Sequence, residues 1–597
     1  MIRTPLRPLA RILDARQKGE NPDAIERENL RIRHEEMRDK ARVRAESRLL
    51  MLGVFFFCAF TVIGARMGHI AASEPEEPRT QANTASVVAT RADIVDRRGR
   101  ILATNMETHS LYAHPQQMIE PERAAQALAG IFSDLDEDRM IKDFTGTRKF
   151  VWIKRKISPE QKQAVHDIGE PGLLFGPREM RLYPNGKLAA HVLGGAGFDN
   201  EDVSGAEILG VAGIEKYLDA DLRDPARAGA PVELSLDLTI QAAVEQVLHG
   251  GMTLLNAKGA AAVLMDVHTG EVIALASLPD FDPNDRPAPP TKGNPSDSPL
   301  FNRAVQGVYE LGSTFKIFAA AQALDLKLVN PSTVIDTSPP FKIGGYPIGE
   351  FKGHNYGKLS VEKIIVKSSN RGTGKLALMI GAKRQKEFLD SLGLLAPLPV
   401  ELIEAGSVHP QTPDRWGDLS TVTISYGHGI NSSPLHLASA YSTIANGGHM
   451  IRPTLLKQAG PRLGPQIISE QTSAQARAML RLVVSHRDGT ASFGDVPGYA
   501  VGGKTGTAEK LKENGGGYYA DRNINTFASM FPAHAPKYVL VVTLDEPVES
   551  SGAEPRRTAG WTAVPVAAEI IRRVAPLLGM RPDVEPAELA GITLASQ

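Results

Sequence analysis

The stretch YELGSTFKIFAAAQAL, residues 309–324, places Ser313 and Lys316 three positions apart at the head of an apolar run. A serine hydroxyl is a poor nucleophile until a base takes its proton and fixed donors hold the developing oxyanion. Residues i and i+3 of a helix share a face, with Cβ atoms about 5–6 Å apart, so a helix starting here brings Lys316 within reach of Ser313. An amine acts as a base only when neutral, and burial or a neighbouring cation achieves this by lowering its pKa. The positive end of the helix dipole also disfavours the protonated amine. The plain alternative is an N-capping serine followed by a snorkelling lysine. A chain of 597 residues holds roughly one or two S-x-x-K matches by chance, so the pair alone decides nothing.

Two further motifs change that balance. S-S-N, Ser368 to Asn370, follows the helix-like LSVEKIIVK. K-T-G, Lys504 to Gly506, lies in VGGKTGTAEK, a strand-like stretch with glycines on both sides. Taken singly, S-S-N reads as a helix-end turn and K-T-G as a glycine-loosened edge strand. The three motifs in this order and at these intervals have a chance probability on the order of one in a thousand or less. The ordered triple is therefore a strong signal that Ser313 and Lys316 are a nucleophile beside its base.

These residues need a scaffold that gathers distant segments. VELSLDLTIQAAVEQVL, from Val232, runs from a strand into an amphipathic helix. AAAVLMDV (260–267) and EVIALAS (271–277) read as strands joined by a tight His-Thr-Gly turn. NTFASMF (525–531) and KYVLVVTLDEP (537–547) form a second pair, and WTAVPVAAEIIRRVAPLL (561–578) closes the domain with Gly579 as its cap. Strands at both ends with a helical block between them predict one sheet in a three-layer α+β or α/β design. Upstream, ASVVATRADIVDRRGRILATN (85–105) reads as strand, turn at Arg98-Gly99, strand, and 181–197 is turn-rich. Pro and Gly cluster near 222–231, where a boundary is expected. The divisions are 1–48, 49–66, 67–230, 231–580 and a weakly ordered tail, 581–597.

Composition is that of a folded protein, 42% hydrophobic and 23% charged. The net charge of −1 argues against a general nucleic-acid role. A single cysteine, Cys58, rules out an internal disulfide and a Cys-rich metal cage. H-E-x-x-H, P-loop and dinucleotide-binding motifs are absent from the sequence, so no metal or cofactor is expected.

Residues 49–65, LLMLGVFFFCAFTVIGA, form an uncharged run between Arg48 and Arg66, at the short end of what spans a bilayer. The preceding segment is too long for a signal peptide, and only a weak cleavage site, Ala71-Ala72-Ser73, follows. An uncleaved anchor is therefore expected. RDKARVRAESR (38–48) precedes the run and the acidic SEPEEP (73–78) follows it. The positive-inside rule leaves the N-terminus in the cytoplasm and roughly 500 residues outside. In a bacterium those residues are periplasmic or extracellular.

The ordered triple resembles that of the penicilloyl serine transferases, and the chain resembles their class B branch, the monofunctional penicillin-binding proteins. Similarity runs from about Arg91 to Val574. RADIVDRRGRILA resembles the first motif of the family's pedestal (dimerisation-type) domain, with Ala92 where glycine is usual. RLYPNGKLAAHVLG and GVAGIEKYLD resemble later pedestal motifs, and LSLDLTIQ the start of the catalytic domain. The resemblance implies a multi-domain α+β fold: a mainly antiparallel sheet flanked by helices, an elongated pedestal and one transmembrane helix. It implies that Ser313 attacks the penultimate D-Ala carbonyl of a peptidoglycan stem and Lys316 accepts its proton. Ser368 relays a proton to the leaving D-Ala, and Asn370 holds the substrate amide. Lys504 sets the local field and helps depress the Lys316 pKa. Thr505 and Thr507 bind the substrate carboxylate beside Gly506, and the N–H groups of Ser313 and Thr507 form the oxyanion hole. An amine from a second stem resolves the acyl-enzyme into a cross-link, and β-lactam antibiotics trap Ser313. Residues 85–230 are too short for a glycosyltransferase, so a membrane-embedded glycan polymerase is an implied partner, together with other division proteins.

Within the family, SYGHGINSSPLHLASAYSTIANGG (425–448) and NRAVQGVYELGSTFK resemble the septal branch. The elongation branch usually carries Gln at the position of His428. Leu311, His436 and Arg371 depart from the pattern; Arg371, expected beside the cleft, is placed to alter substrate or β-lactam affinity. KENGGGYYADRN (512–523) is expected to be a mobile loop gating the cleft. A β-lactam-sensing receptor fits poorly with one span and a short tail, and an intact triple opposes an inactive scaffold. A D,D-carboxypeptidase, in which water takes the acyl group, shares the acylation step and stays open.

Overall fold

The computed structural model describes residues 7–72, 91–199, 207–227, 229–512 and 516–583. Most of the expected linker, SEPEEP, Val87 and its neighbours, residues 513–515 of the expected loop and the tail after 583 lie outside the described residues. The chain forms two compact units: residues 1–77, 112–153 and 163–174 in one, and 78–111, 154–162 and 175–597 in the other.

In the first unit a single helix, Pro22–Ala72, carries both the basic stretch and the apolar run expected to be the anchor. Leu49, Phe55, Phe57, Phe60 and Val62 on it are all exposed, and its length and composition suffice to cross a membrane. A separate part of this unit packs Trp152 edge to face with both Tyr112 and Phe150, the Phe150 and Trp152 ring centres 5.1 Å apart.

In the second unit the expected sheet forms from β1 (Gly259–Asp266), β2 (Val272–Leu278), β3 (Gly502–Leu511), β4 (Tyr518–Phe531) and β5 (Tyr538–Asp545). The order is β3-β4-β5-β1-β2, antiparallel throughout. β2 and β5 are buried over nearly every residue, as strands covered on both faces must be. Helices α1 (Leu238–Leu254) and α5 (Ala563–Leu577) pack together against the sheet; α4 (Pro434–Ala445) also packs on it, beside the helix Glu470–Ser485. α2 (Lys316–Asp325) and α3 (Asn370–Ile380) complete the helical block. β3, the K-T-G strand, is the sheet edge, and it runs beside the turn that carries Ser313.

Within the second unit, contacts run across the 222–231 segment. The strand Ile94–Val95 pairs in parallel with Val232–Glu233. Arg100 donates to Asp96 and Asp237, the N-cap of α1, while Asp96 accepts from the Leu238 N–H at 3.0 Å. The first pedestal-like motif is thereby tied to the helix that opens the catalytic domain. Two of the pedestal-like motifs also converge on Glu215 of the third, which is fully buried. Arg91 donates to it at 2.8 Å, Arg181 at 2.7 Å and the Tyr183 hydroxyl at 3.3 Å. Removing one partner of such a network leaves buried charge unpaired, at a cost of about 3–5 kcal/mol. Glu215→Ala is therefore expected to lower unfolding stability by that amount, read as an earlier midpoint in chemical denaturation of the purified protein.

Candidate active site

Ser313 does not sit on an α-helix as its spacing predicts. It lies in a 3₁₀ turn, Gly312–Phe315, and Lys316 opens α2 directly after it. A 3₁₀ turn eclipses i and i+3 more closely than an α-helix, so the intended juxtaposition survives the change of geometry. The turn is held from several sides. The Tyr441 hydroxyl on α4 donates to the Thr314 carbonyl at 2.7 Å, and Thr314 Oγ1 donates to the Leu311 carbonyl at 2.9 Å. Gly312 has φ +56 and Gly427 has φ +81; a Cβ on Gly427 would lie 2.0 Å from the Gly312 carbonyl oxygen. Only glycine allows these two backbones to touch.

Lys316 and Lys504 are 1% and 0% exposed. Lys316 Nζ donates to Ser368 Oγ at 3.0 Å and to the Ser368 carbonyl at 2.5 Å. Lys504 Nζ reaches the same Oγ at 3.0 Å and the Thr505 carbonyl at 3.2 Å. Among the described residues no hydrogen bond joins Lys316 to Ser313; the amine rests on the S-S-N corner instead. Ser368 has φ +57, a left-handed conformation costing a non-glycine residue about 1–2 kcal/mol, and such strain persists only where the surroundings impose it. Burial pushes the Lys316 amine down to about 7, against the attraction of Glu350, which raises it. Lys504 is held well below the usual lysine range by burial and by the Lys316 charge beside it. Burying two ammonium groups together costs several kcal/mol each, so the pair sheds protons.

The K-T-G strand meets the nucleophile turn backbone to backbone. A Cβ on Gly312 would lie 3.1–3.4 Å from the backbone of Thr507, and one on Gly506 2.2 Å from the Leu311 carbonyl oxygen. Thr505 Oγ1 shares a hydrogen bond of 2.8 Å with Thr490, and Thr507 Oγ1 accepts from the Ala559 N–H at 3.0 Å. Thr507 and Ser313 are part-exposed, whereas Thr505 is buried. Asn370 begins α3, its side-chain amide donating to the Gly349 carbonyl at 3.0 Å. The structure thus gathers every residue singled out from the three motifs around one corner.

Two expectations are corrected. Arg371 does not line a cleft: it is buried and donates to the Ile348 carbonyl at 2.9 Å and the Thr337 carbonyl at 3.4 Å, because these two loop carbonyls need a donor there. The second half of the expected loop 512–523 is strand, since β4 begins at Tyr518, and the Lys512 N–H meets the Gly517 carbonyl. Its strand half is exposed over most of its residues and carries charges, so no apolar run or alternation marks it in the sequence.

Sequence reasoning also passed over carboxylates. Glu350 accepts from Ser369 and from the N–H groups of Asn370 and Arg371. Glu310, inside the opening stretch itself, accepts from the Gly429 N–H at 2.7 Å and the Tyr518 hydroxyl at 3.1 Å. His428 stacks on Tyr518, and burial lowers its pKa, assisted by Lys316. A lone Glu in a polar loop carries no motif signal; only its burial marks it.

Comparison with known proteins gives three findings. The family model described as Penicillin binding protein transpeptidase domain matches residues 260–572, and that described as Penicillin-binding Protein dimerisation domain matches 86–226. The chain is 34% identical over 572 residues to a probable peptidoglycan D,D-transpeptidase FtsI of Caulobacter vibrioides, covering 94% of each. It is 27% identical over 522 residues to the peptidoglycan D,D-transpeptidase FtsI of Escherichia coli, covering 83% of this chain and 85% of that one. Among solved structures, penicillin binding protein 3 of Mycobacterium tuberculosis complexed with ampicillin aligns with TM-score 0.63 at 27% identity, covering 83% of this chain and 97% of that one.

Proposed function

Because the chain belongs to the class B penicillin-binding proteins, carrying their transpeptidase and dimerisation domains, we propose that it is a peptidoglycan D,D-transpeptidase of the division septum. Ser313 attacks the penultimate D-Ala carbonyl of a donor stem, and Lys316 takes its proton. The C–N bond to the terminal D-Ala breaks, and Ser368 passes the proton to the leaving nitrogen. Asn370 holds the substrate amide, and the hydroxyls of Thr505 and Thr507 bind its terminal carboxylate. The N–H groups of Ser313 and Thr507 hold the oxyanion. An amine of a second stem then attacks the ester, forming the cross-link and returning the proton to Ser313. The observation that carries this reading is the single hydroxyl of Ser368 held 3.0 Å from both buried amines, since a shared oxygen can pass a proton between base and leaving group.

The anchor sits in the inner membrane with the N-terminus in the cytoplasm and the catalytic unit in the periplasm. A separate glycan polymerase and other division proteins are its partners, and β-lactams mimic the D-Ala-D-Ala end and acylate Ser313. Depletion in cells tests the branch: filaments support division, and round cells of normal length refute it in favour of elongation.

The base also predicts a pH profile. Lys316 must be neutral to accept a proton, and its pKa is lowered to about 7. Acylation by benzylpenicillin is therefore expected to fall about tenfold per pH unit below that value and to level off above it. A rate flat from pH 5 to 8 contradicts this assignment.

A further inference from the structure

We propose that Glu350 is a positioning residue of this site: its carboxylate locks the Ser368–Asn370 corner onto the lysine pair and presents a negative charge to the Lys316 amine. The inference rests on the reading of Ser313 as nucleophile and Lys316 as base. Glu350 lies outside the three motifs and is only 7% exposed. One oxygen, Oε1, accepts from Ser369 Oγ at 2.6 Å and the Arg371 N–H at 3.0 Å; the other accepts from the Asn370 N–H at 2.7 Å. Its neighbours grip two of the same residues. The Gly349 carbonyl takes the Asn370 side-chain amide, and the Ile348 carbonyl takes the Arg371 guanidinium. Ser369 Oγ in turn accepts from the Gly372 N–H at 3.0 Å.

Every free N–H in the first turn of α3 is thus assigned: residues 370 and 371 to Glu350, residue 372 to Ser369. A carboxylate at this helix end also complements the dipole. The clamp explains how Ser368, the residue just before it, is held at φ +57 with its hydroxyl aimed at both lysines. The clamp acts together with the lysine contacts to the Ser368 hydroxyl and carbonyl, holding the residue from its other side.

The second part of the proposal is electrostatic. The Lys316 amine faces Ser368, Lys504 from β3, His428 from the 427–429 turn, and Glu350. Glu350 attracts its proton while burial opposes it. The carboxylate also faces Tyr356 and Tyr426, whose hydroxyls are pushed up mainly by burial, with Glu350 adding to the shift. With Glu350 neutral, burial acts on Lys316 unopposed, and the amine loses its proton at lower pH.

The test is the pH profile of acylation by benzylpenicillin in the full-length protein and in Glu350→Gln, Glu350→Asp and Ser369→Ala variants. Glu350→Gln keeps the shape but removes the charge and one acceptor. It is expected to acylate roughly tenfold or more slowly on the plateau, with the midpoint of its acid limb moved to lower pH. Ser369→Ala keeps the charge, so it is expected to slow acylation with the midpoint unmoved. Glu350→Asp keeps the charge at shorter reach and is expected to slow acylation while restoring the midpoint. A Glu350→Gln profile lowered evenly at every pH, or a Ser369→Ala midpoint displaced as far, overturns the proposal. If Glu350→Gln does not fold, a displaced midpoint in Glu350→Asp overturns it and a preserved one supports it. Failure of the underlying reading looks different: the wild-type protein itself then lacks an acid limb.

Discussion

A Ser313→Ala variant is expected to take up no fluorescent penicillin at all, while unfolding within about 0.5 kcal/mol of the parent. The two halves of that expectation have separate grounds. Stability is spared because the Ser313 side chain is part-exposed and its turn is fixed by other groups, the Tyr441 and Thr314 hydroxyls. Labelling is lost because the other hydroxyls at the corner are committed. Ser368 accepts from both lysines, Thr505 is bonded to Thr490, and Thr507 accepts from Ala559. None of these lies on the turn with an open side. The measurement is gel fluorescence after incubation with the label, with the thermal transition as the control for folding. Residual labelling above a few per cent, with the fold intact, would mean that Ser368 or a threonine is the nucleophile, and the mechanism above would fall. Lys316→Ala distinguishes base from nucleophile: it is expected to retain Ser313 yet acylate about 10²–10⁴-fold more slowly, the usual worth of a general base.

The contrast between what the sequence reveals here and what it conceals follows a physical line. The strands at 260–267 and 271–277 were legible because each is a continuous apolar run bounded by turn residues, and the structure places them at Gly259–Asp266 and Val272–Leu278. The cap at Gly579 was legible because φ there is +73, which glycine alone adopts freely. Ser313, Lys316 and Lys504 announced themselves because their types are improbable in apolar surroundings. What stayed hidden depends on contacts between segments distant along the chain. Arg371 looks like a surface cation until the carbonyls of Ile348 and Thr337 close on it. Glu350 looks like one charge among several until α3 docks its first turn there. The strand pattern of 518–523 is masked because its exposed half-pairs carry charges and its partner β3 is an edge. Motif and periodicity report local demand; a buried charge reports a demand met from elsewhere.

Gly506→Ala makes the sharpest use of that distinction, since a single methyl group is expected to slow acylation about a hundredfold without unfolding the domain. The middle of K-T-G reads as permissive from sequence, where small residues are exchangeable in an edge strand. In the structure a Cβ at 506 would stand 2.2 Å from the Leu311 carbonyl oxygen and 2.9 Å from Thr314 Cγ2. Neither obstacle is a flexible side-chain end: one is backbone, and the other belongs to a threonine whose hydroxyl is tied to that same Leu311 carbonyl. The strand must therefore withdraw from the nucleophile turn by on the order of 1 Å, the scale of misplacement that costs roughly 10²-fold in rate. The withdrawal carries Thr507, one side of the oxyanion hole, away from Ser313, the other. It need not unfold anything, because the far side of β3 keeps its ladder with β4 through Thr505↔Phe527 and Thr507↔Asn525. Gly406→Ala serves as a control, having no heavy atom near its added Cβ. Stopped-flow acylation with benzylpenicillin should find Gly406→Ala near the parent rate and Gly506→Ala far below it, with similar thermal transitions. A Gly506→Ala rate within about threefold of the parent would show that the strand and the turn have slack between them, and that the oxyanion hole is not built where these two backbones touch.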